Sequence, residues 1–140
     1  MSIHNALRRR ITPTVPLVLH VEDSDGGSFD VSFRLAFDLN AMALVEEKTG
    51  LNMLTGEAFK EPNASRTSIL LWAAVQENNP EYAGDGGLYA IRSFLTLSNA
   101  QEVLTAINEA FIAALPREQV AAMKAAAEGV ADPQPIPVSQ

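Results

Sequence analysis

The chain has 140 residues, 47% of them apolar and 19% charged, with no cysteine and a formal net charge of −7. A chain of this length and composition suits one folded domain, and it excludes disulfides, thiolate metal sites and a cysteine nucleophile. The three basic residues Arg8, Arg9 and Arg10 lie in residues 1–12, which hold no acid, so the remaining body is strongly acidic and repels phosphate backbones; nucleic acid is not an expected partner.

The longest apolar runs, such as Ile69 to Val75, fall far short of the roughly 20 residues a membrane helix needs. A membrane is therefore not an expected partner either. Arg8 to Arg10 precede an apolar stretch as in an export signal, but Pro13 and Pro16 interrupt it and Glu22 and Asp23 close it, so no export signal is read. Residues 1–12 are expected to be a flexible basic head, 13–129 a single α+β domain and 130–140 a flexible proline-rich tail.

In chain order, Leu17, Leu19 and Val21 alternate with polar or smaller residues, and Phe29, Val31, Phe33, Leu35 and Phe37 do the same downstream. That period-two pattern predicts two half-buried strands, and Asp23-Ser24-Asp25-Gly26-Gly27-Ser28 between them predicts a hairpin turn. Pairing Val21 with Phe29, Leu19 with Val31 and Leu17 with Phe33 puts the large apolar residues on one face. Asp38 is placed to cap a helix over Leu39 to Thr49, and Gly50 to end it. Glu46 and Glu47 sit at the wrong end for the helix dipole, so this helix depends on packing.

Residues 51–64 read as a loop that tucks some of Leu51, Met53, Leu54 and Phe59 inward. A helix follows over Ser65 to Asn78, apolar all round at its centre and therefore expected to be the buried central helix, with Trp72 in the core and Pro80 marking its end. Gly84-Asp85-Gly86-Gly87 reads as a flexible hinge before a short helix over Leu88 to Leu95. Ser98 and Gln101 suggest a capping box for an amphipathic helix running to Leu115. Pro116 opens a last, alanine-rich helix through Glu128, whose apolar stripe is only Val120 and Met123. The fold class expected is α+β, an N-terminal β-hairpin packed on a bundle of four to five α-helices.

Chemistry-bearing constellations are sparse. His4 and His20 are isolated, and a zinc site needs three or four convergent ligands, so no metal and no cofactor is expected. Glu22, Asp23 and Asp25 before Gly26 lack the acid spacing of a calcium loop and fit hairpin-turn chemistry instead. The glycines at 84–87 lack the lysine of a phosphate loop, Glu46 and Glu47 point about 100° apart on a helix, and no serine lies in a nucleophile elbow or a Ser-x-x-Lys pattern. No catalytic residue is expected. Aromatic and apolar residues near the glycine segment, Tyr82, Tyr89, Phe94 and Leu97, are the candidates for binding a partner.

Three segments carry a resemblance. Phe37-Asp38-Leu39-Asn40-Ala41-Met42-Ala43-Leu44-Val45-Glu46-Glu47-Lys48-Thr49-Gly50 resembles the strand-into-helix opening of tail assembly chaperones from long-tailed phages and gene transfer agents. Ser68 to Ala74 followed by Asn79-Pro80-Glu81 resembles that family's second segment, and Glu102 to Leu115 its closing helix. The resemblance spans about residues 15–116 and departs after Pro80, where the family opens a helix with a Thr-Leu-Glu-Glu-type sequence and this chain has Tyr82 to Gly87. It implies a small cytoplasmic protein that binds the long, apolar, helical tape measure protein and keeps it soluble until the tail tube assembles around it, with the tail tube protein as a further partner. In that family a longer, frameshifted form is common. A structural virion component of the tail or connector is the alternative, and a small hydrolase the alternative of another class. Neither strand carries lysine and Pro16 guards only the start of the first, so the hairpin is expected to pair with a second subunit and form a homo-oligomer.

Overall fold

The computed structural model describes residues 13–122 and residue 125. The expected head, the expected tail and the end of the last helix, including Met123 and Glu128, lie outside the described residues. Two strands, β1 (Val15–Glu22) and β2 (Ser28–Leu35), are followed by helices α1 (Leu39–Thr49), α2 (Ala64–Val75), α3 (Gly84–Phe94) and α4 (Ala100–Ala114). Short 3-10 turns cover Glu57–Phe59 and Pro80–Tyr82, and residues 117–122 are again helical. The architecture is α+β, a hairpin on a helical layer, as the hydrophobic periodicities predict.

The strands are antiparallel with Val21 opposite Phe29, Leu19 opposite Val31 and Leu17 opposite Phe33, the register expected from the apolar alternation. Asp23 builds the turn: its Oδ1 accepts from the N–H of Asp25 at 2.9 Å and of Gly27 at 3.0 Å, and its N–H donates to Gly27 O at 2.8 Å. Gly26 sits at φ +87°, the left-handed residue that ends a three-residue hairpin loop. Counting the ladder from that closing pair turns the N–H groups of Val18 and His20 outward on β1, and those of Asp30, Ser32 and Arg34 outward on β2. Pro16 falls opposite Arg34 on an outward position, where its missing N–H costs the ladder nothing. The buried face holds Leu17, Leu19, Phe33 and Leu35; Phe29, at the hairpin tip, stays 45% exposed because no helix reaches over it completely.

Helix α1 begins and ends where its caps predict. Asp38 Oδ1 accepts from Ala41 N at 2.8 Å, and Gly50 at φ +73° donates its N–H to Glu46 O. Glu46 also accepts from Met53 N at 3.0 Å, so an acid unfavourable to the helix dipole anchors the loop that follows. That loop buries Met53 and Ala58 completely and half-buries Leu51 and Phe59, whereas Leu54 is 68% exposed and does not tuck inward. Phe59 stacks on Phe111 at 4.4 Å between centroids, and both rings meet Phe37 at 6.2 Å, which pins the loop to α4.

Helix α2 is the core. Every residue from Thr67 to Val75 is buried, and the helix packs against α1, α3, α4 and β2. Its capping residue is Asn63, whose Oδ1 accepts from Arg66 N at 2.8 Å. It stops at Val75 rather than Asn78: Asn79, at φ −137° and ψ 69°, has left the helical region ahead of the 3-10 turn at Pro80–Tyr82, and its Oδ1 takes the outward N–H of Arg34 at 3.2 Å.

Two expectations are corrected. The glycine segment 84–87 is not a hinge: it is the first turn of α3, which starts at Gly84, not Leu88. A Cβ on Gly87 would stand 1.7 Å from Tyr82 O, so only glycine lets this helix start against the preceding turn. Ser98 and Gln101 form no capping box; the capping residue of α4 is Asn99, which is buried and ties the α3–α4 connection instead. Its Oδ1 accepts from Thr96 N at 2.9 Å, its Nδ2 donates to Phe94 O at 2.9 Å, and its N–H donates to Thr96 Oγ1 at 3.2 Å. Along α4, Val103, Ala106, Ile107 and Ala110 are buried, as the helical spacing predicts. In the helical residues 117–122, Val120 alone is half-buried, so this segment packs lightly.

Candidate functional site

The four candidate binding residues divide between two places and a bare helix face. Tyr82, in the turn before α3, and Phe94, in its last turn, are both half-buried and meet at 6.3 Å and 85°. Phe33 lies 5.5 Å from Tyr82 and 6.3 Å from Phe94, and Phe29 lies 6.4 Å from Phe94 edge-on. These four rings join the hairpin to α3, so Tyr82 and Phe94 serve packing between elements. Burial raises the phenol of Tyr82 above its ordinary value of 10.0, and the Glu81 carboxylate adds to the effect. Tyr89 is 76% exposed and belongs to neither place. Leu97, 99% exposed, stands at a groove.

That groove encloses about 710 Å³. Its polar lining comes from the first turns of α2, with Asn63, Ser65, Thr67 and Ser68, and from Arg92 near the end of α3. Its apolar lining comes from the following connection and α4, with Leu95, Leu97, Ala100 and Leu104. Such a mixture, mostly apolar with a few convergent polar groups, is typical of a binding site of this size.

Arg92 is held where it is by hydroxyls. Its Nε donates to Ser68 Oγ at 2.8 Å, and its Nη2 lies 3.5 Å from Ser65 Oγ; Ser68 in turn donates to Ser65 O at 2.8 Å. Among the described residues Arg92 has no ion pair, and no lining residue is acidic. Thr67, only 7% exposed, lines the groove with a hydroxyl that finds no partner among the described residues. The N–H groups of Ala64 and Ser65 are likewise unpaired there, as the opening of any helix leaves them.

Sequence reasoning finds Leu97 but misses Arg92, Ser65, Thr67 and Ser68. One signal was present: Arg92 is the only basic residue between Arg66 and Arg117 in an acidic chain. No group of three metal-binding side chains occurs among the described residues, and no helix there is long and apolar enough to cross a membrane. No family model, no curated protein and no solved structure matches the chain.

Proposed function

We propose that this protein is a phage-type tail assembly chaperone, acting in the bacterial cytoplasm to bind the tape measure protein and keep it soluble while the tail tube assembles. The observation that carries the reading is an apolar surface left open on the helical layer: Leu97 is 99% exposed at the mouth of a mostly apolar groove, and Tyr89 is 76% exposed on α3. A helical, apolar client needs such a surface, because an amphipathic helix binds by laying its apolar side chains into a groove. The three segments that resemble the family support the same reading and lie in α1, α2 and α4, the elements that build the core and one groove wall. Self-association through the hairpin belongs to the proposal. The outward N–H groups of Val18 and His20 make no hydrogen bond among the described residues, so β1 offers an open edge.

The test is genetic and biochemical. The gene should lie directly upstream of a very long open reading frame for a helical protein, and the two products should co-purify when expressed together. Finding the chain as a stoichiometric component of purified particles would make it a structural virion component instead.

A further inference from the structure

We propose that the groove between α2, α3 and α4 binds an acidic amphipathic peptide segment, its carboxylate held by Arg92 and the N-terminus of α2 and its leucine-type side chains seated against Leu95, Leu97 and Leu104.

Charge complementarity selects this occupant. In a chain of net charge −7, the groove is lined by a guanidinium with no acid partner among the described residues and by no acidic side chain. Two serine hydroxyls fix that guanidinium, so its remaining donors are already oriented when a ligand arrives. The opening turn of α2 adds unpaired N–H groups and the positive end of its dipole, both of which favour an anion. Thr67 adds one more donor: it lines the groove with a hydroxyl that has no protein partner among the described residues and still reaches solvent, so a carboxylate oxygen would take the place of water there. Beside these groups the leucines of residues 95–104 form an apolar wall with Leu97 fully open, which a small anion would leave wet. A segment carrying both an acid and leucines one helical turn away uses both halves of the site.

The inference rests on the binding reading above for its occupant being a peptide. Its test uses the full chain and a designed probe: a fluorescein-labelled, end-blocked helical 15-mer with leucines at spacings of three and four and one glutamate. Matched peptides carry glutamine or lysine in place of the glutamate. Fluorescence anisotropy should show the glutamate peptide binding below about 1 mM and about tenfold more tightly than the glutamine peptide, the effect of one charge-assisted contact. Arg92→Gln should erase that preference. Leu97→Asp, at a site too exposed to matter for folding, should weaken all three peptides, and circular dichroism of both variants checks the fold. Equal binding of the glutamate and glutamine peptides overturns the proposal, as does a preference that survives Arg92→Gln, indifference to Leu97→Asp, or no binding up to 1 mM. Two further outcomes also overturn it. Leu97→Asp dissolving a self-associated species would assign the groove to a second copy, and tighter peptide binding after removal of residues 126–140 would assign it to the chain's own end. Failure here with co-purification of the long neighbour intact removes only the groove assignment; peptide binding without that co-purification removes only the chaperone reading.

Discussion

The indole N–H of Trp72 donates to the carbonyl of Gly84 at 3.1 Å, tying the centre of the buried helix to the residue that opens α3. Gly84 adopts φ +79°, and that left-handed backbone turns its carbonyl toward the indole. Lys48 adds a cation 5.6 Å from the Trp72 ring while pairing with Asp85 at 3.0 Å, so the three consecutive helices α1, α2 and α3 meet at one side chain. Trp72 is 2% exposed, and Trp72→Ala is expected to cost about 3–5 kcal/mol through lost transfer energy and the cavity left behind. Urea unfolding measures it, and wild-type-like stability would contradict the burial. Trp72→Phe should cost less, yet remove the indole's hydrogen bond to Gly84 O.

Two neighbouring glycines should respond with opposite sign. A Cβ at Gly87 would meet Tyr82 O at 1.7 Å, so Gly87→Ala must push the 3-10 turn away from α3 and should cost several kcal/mol, about the range of severe core overpacking. At Gly86 nothing lies within 4 Å, and alanine there should be neutral or stabilise the helix by up to about 1 kcal/mol. Thermal melts of the pair distinguish a close-packed helix start from a hinge, which would tolerate both changes alike.

Tyr82 predicts an alkaline limit to stability. Its pKa in the folded protein is raised above 10.0 by burial first and by Glu81 second. Below pH 10 the phenol is neutral in folded and unfolded chains alike, and its contribution is fully present. As pH rises past 10 the unfolded chain ionises first, so that contribution declines until the folded phenol also ionises. Tyr82→Phe should therefore flatten the loss of urea stability above pH 10 while leaving the profile near neutrality unchanged in shape. An unaltered alkaline slope in the variant would show that the aromatic cluster does not shield this phenol.

The strand edge supplies a sharper test of self-association than burial does. Val18 directs its N–H away from β2, so Val18→Pro removes a donor from the free edge and none from the hairpin ladder. Light scattering of the unmutated chain at tens of micromolar, about the range in which a weak interface already associates, should show an oligomer, and the proline variant a monomer with an unchanged circular dichroism spectrum. Ser32→Pro tests the β2 edge in the same way, though there Asn79 already occupies the neighbouring N–H of Arg34. A monomeric unmutated chain would mean that the edge needs no second subunit.

Asn99 makes three hydrogen bonds within the α3–α4 connection while 8% exposed. Asn99→Ala strands Thr96 N and Phe94 O, at a cost of about 1–3 kcal/mol, and it should loosen Leu95 and Leu97 at the groove. Faster amide exchange at residues 94–97 would register that loosening, and unchanged exchange would mean that the connection is held by packing alone.

What could be read from residue order alone is what depends on near neighbours. The period-two alternation of Leu17, Leu19 and Val21 with Phe29, Val31 and Phe33 determined the hairpin and its register, because a one-residue slip would turn every large side chain to water. Asp38 and Gly50 determined both ends of α1, since a cap acts within three residues of the backbone it serves. The all-apolar run around Trp72 identified the central helix for the same local reason. Tertiary structure decided what distant residues do to one another. Four residues rich in glycine read as a break on entropy alone; they form a helix start because Tyr82 O fills the space a side chain at 87 would need. Ser98 fits a capping box by spacing, yet Asn99 is drawn inward by Thr96 and Phe94 and takes that place. The groove is the least local feature of all. Ser65, Ser68, Arg92 and Leu104 come from three helices whose relative placement is set by burial of Leu71, Ile91 and Ile107, and no spacing along the chain encodes the meeting of side chains so far apart in sequence.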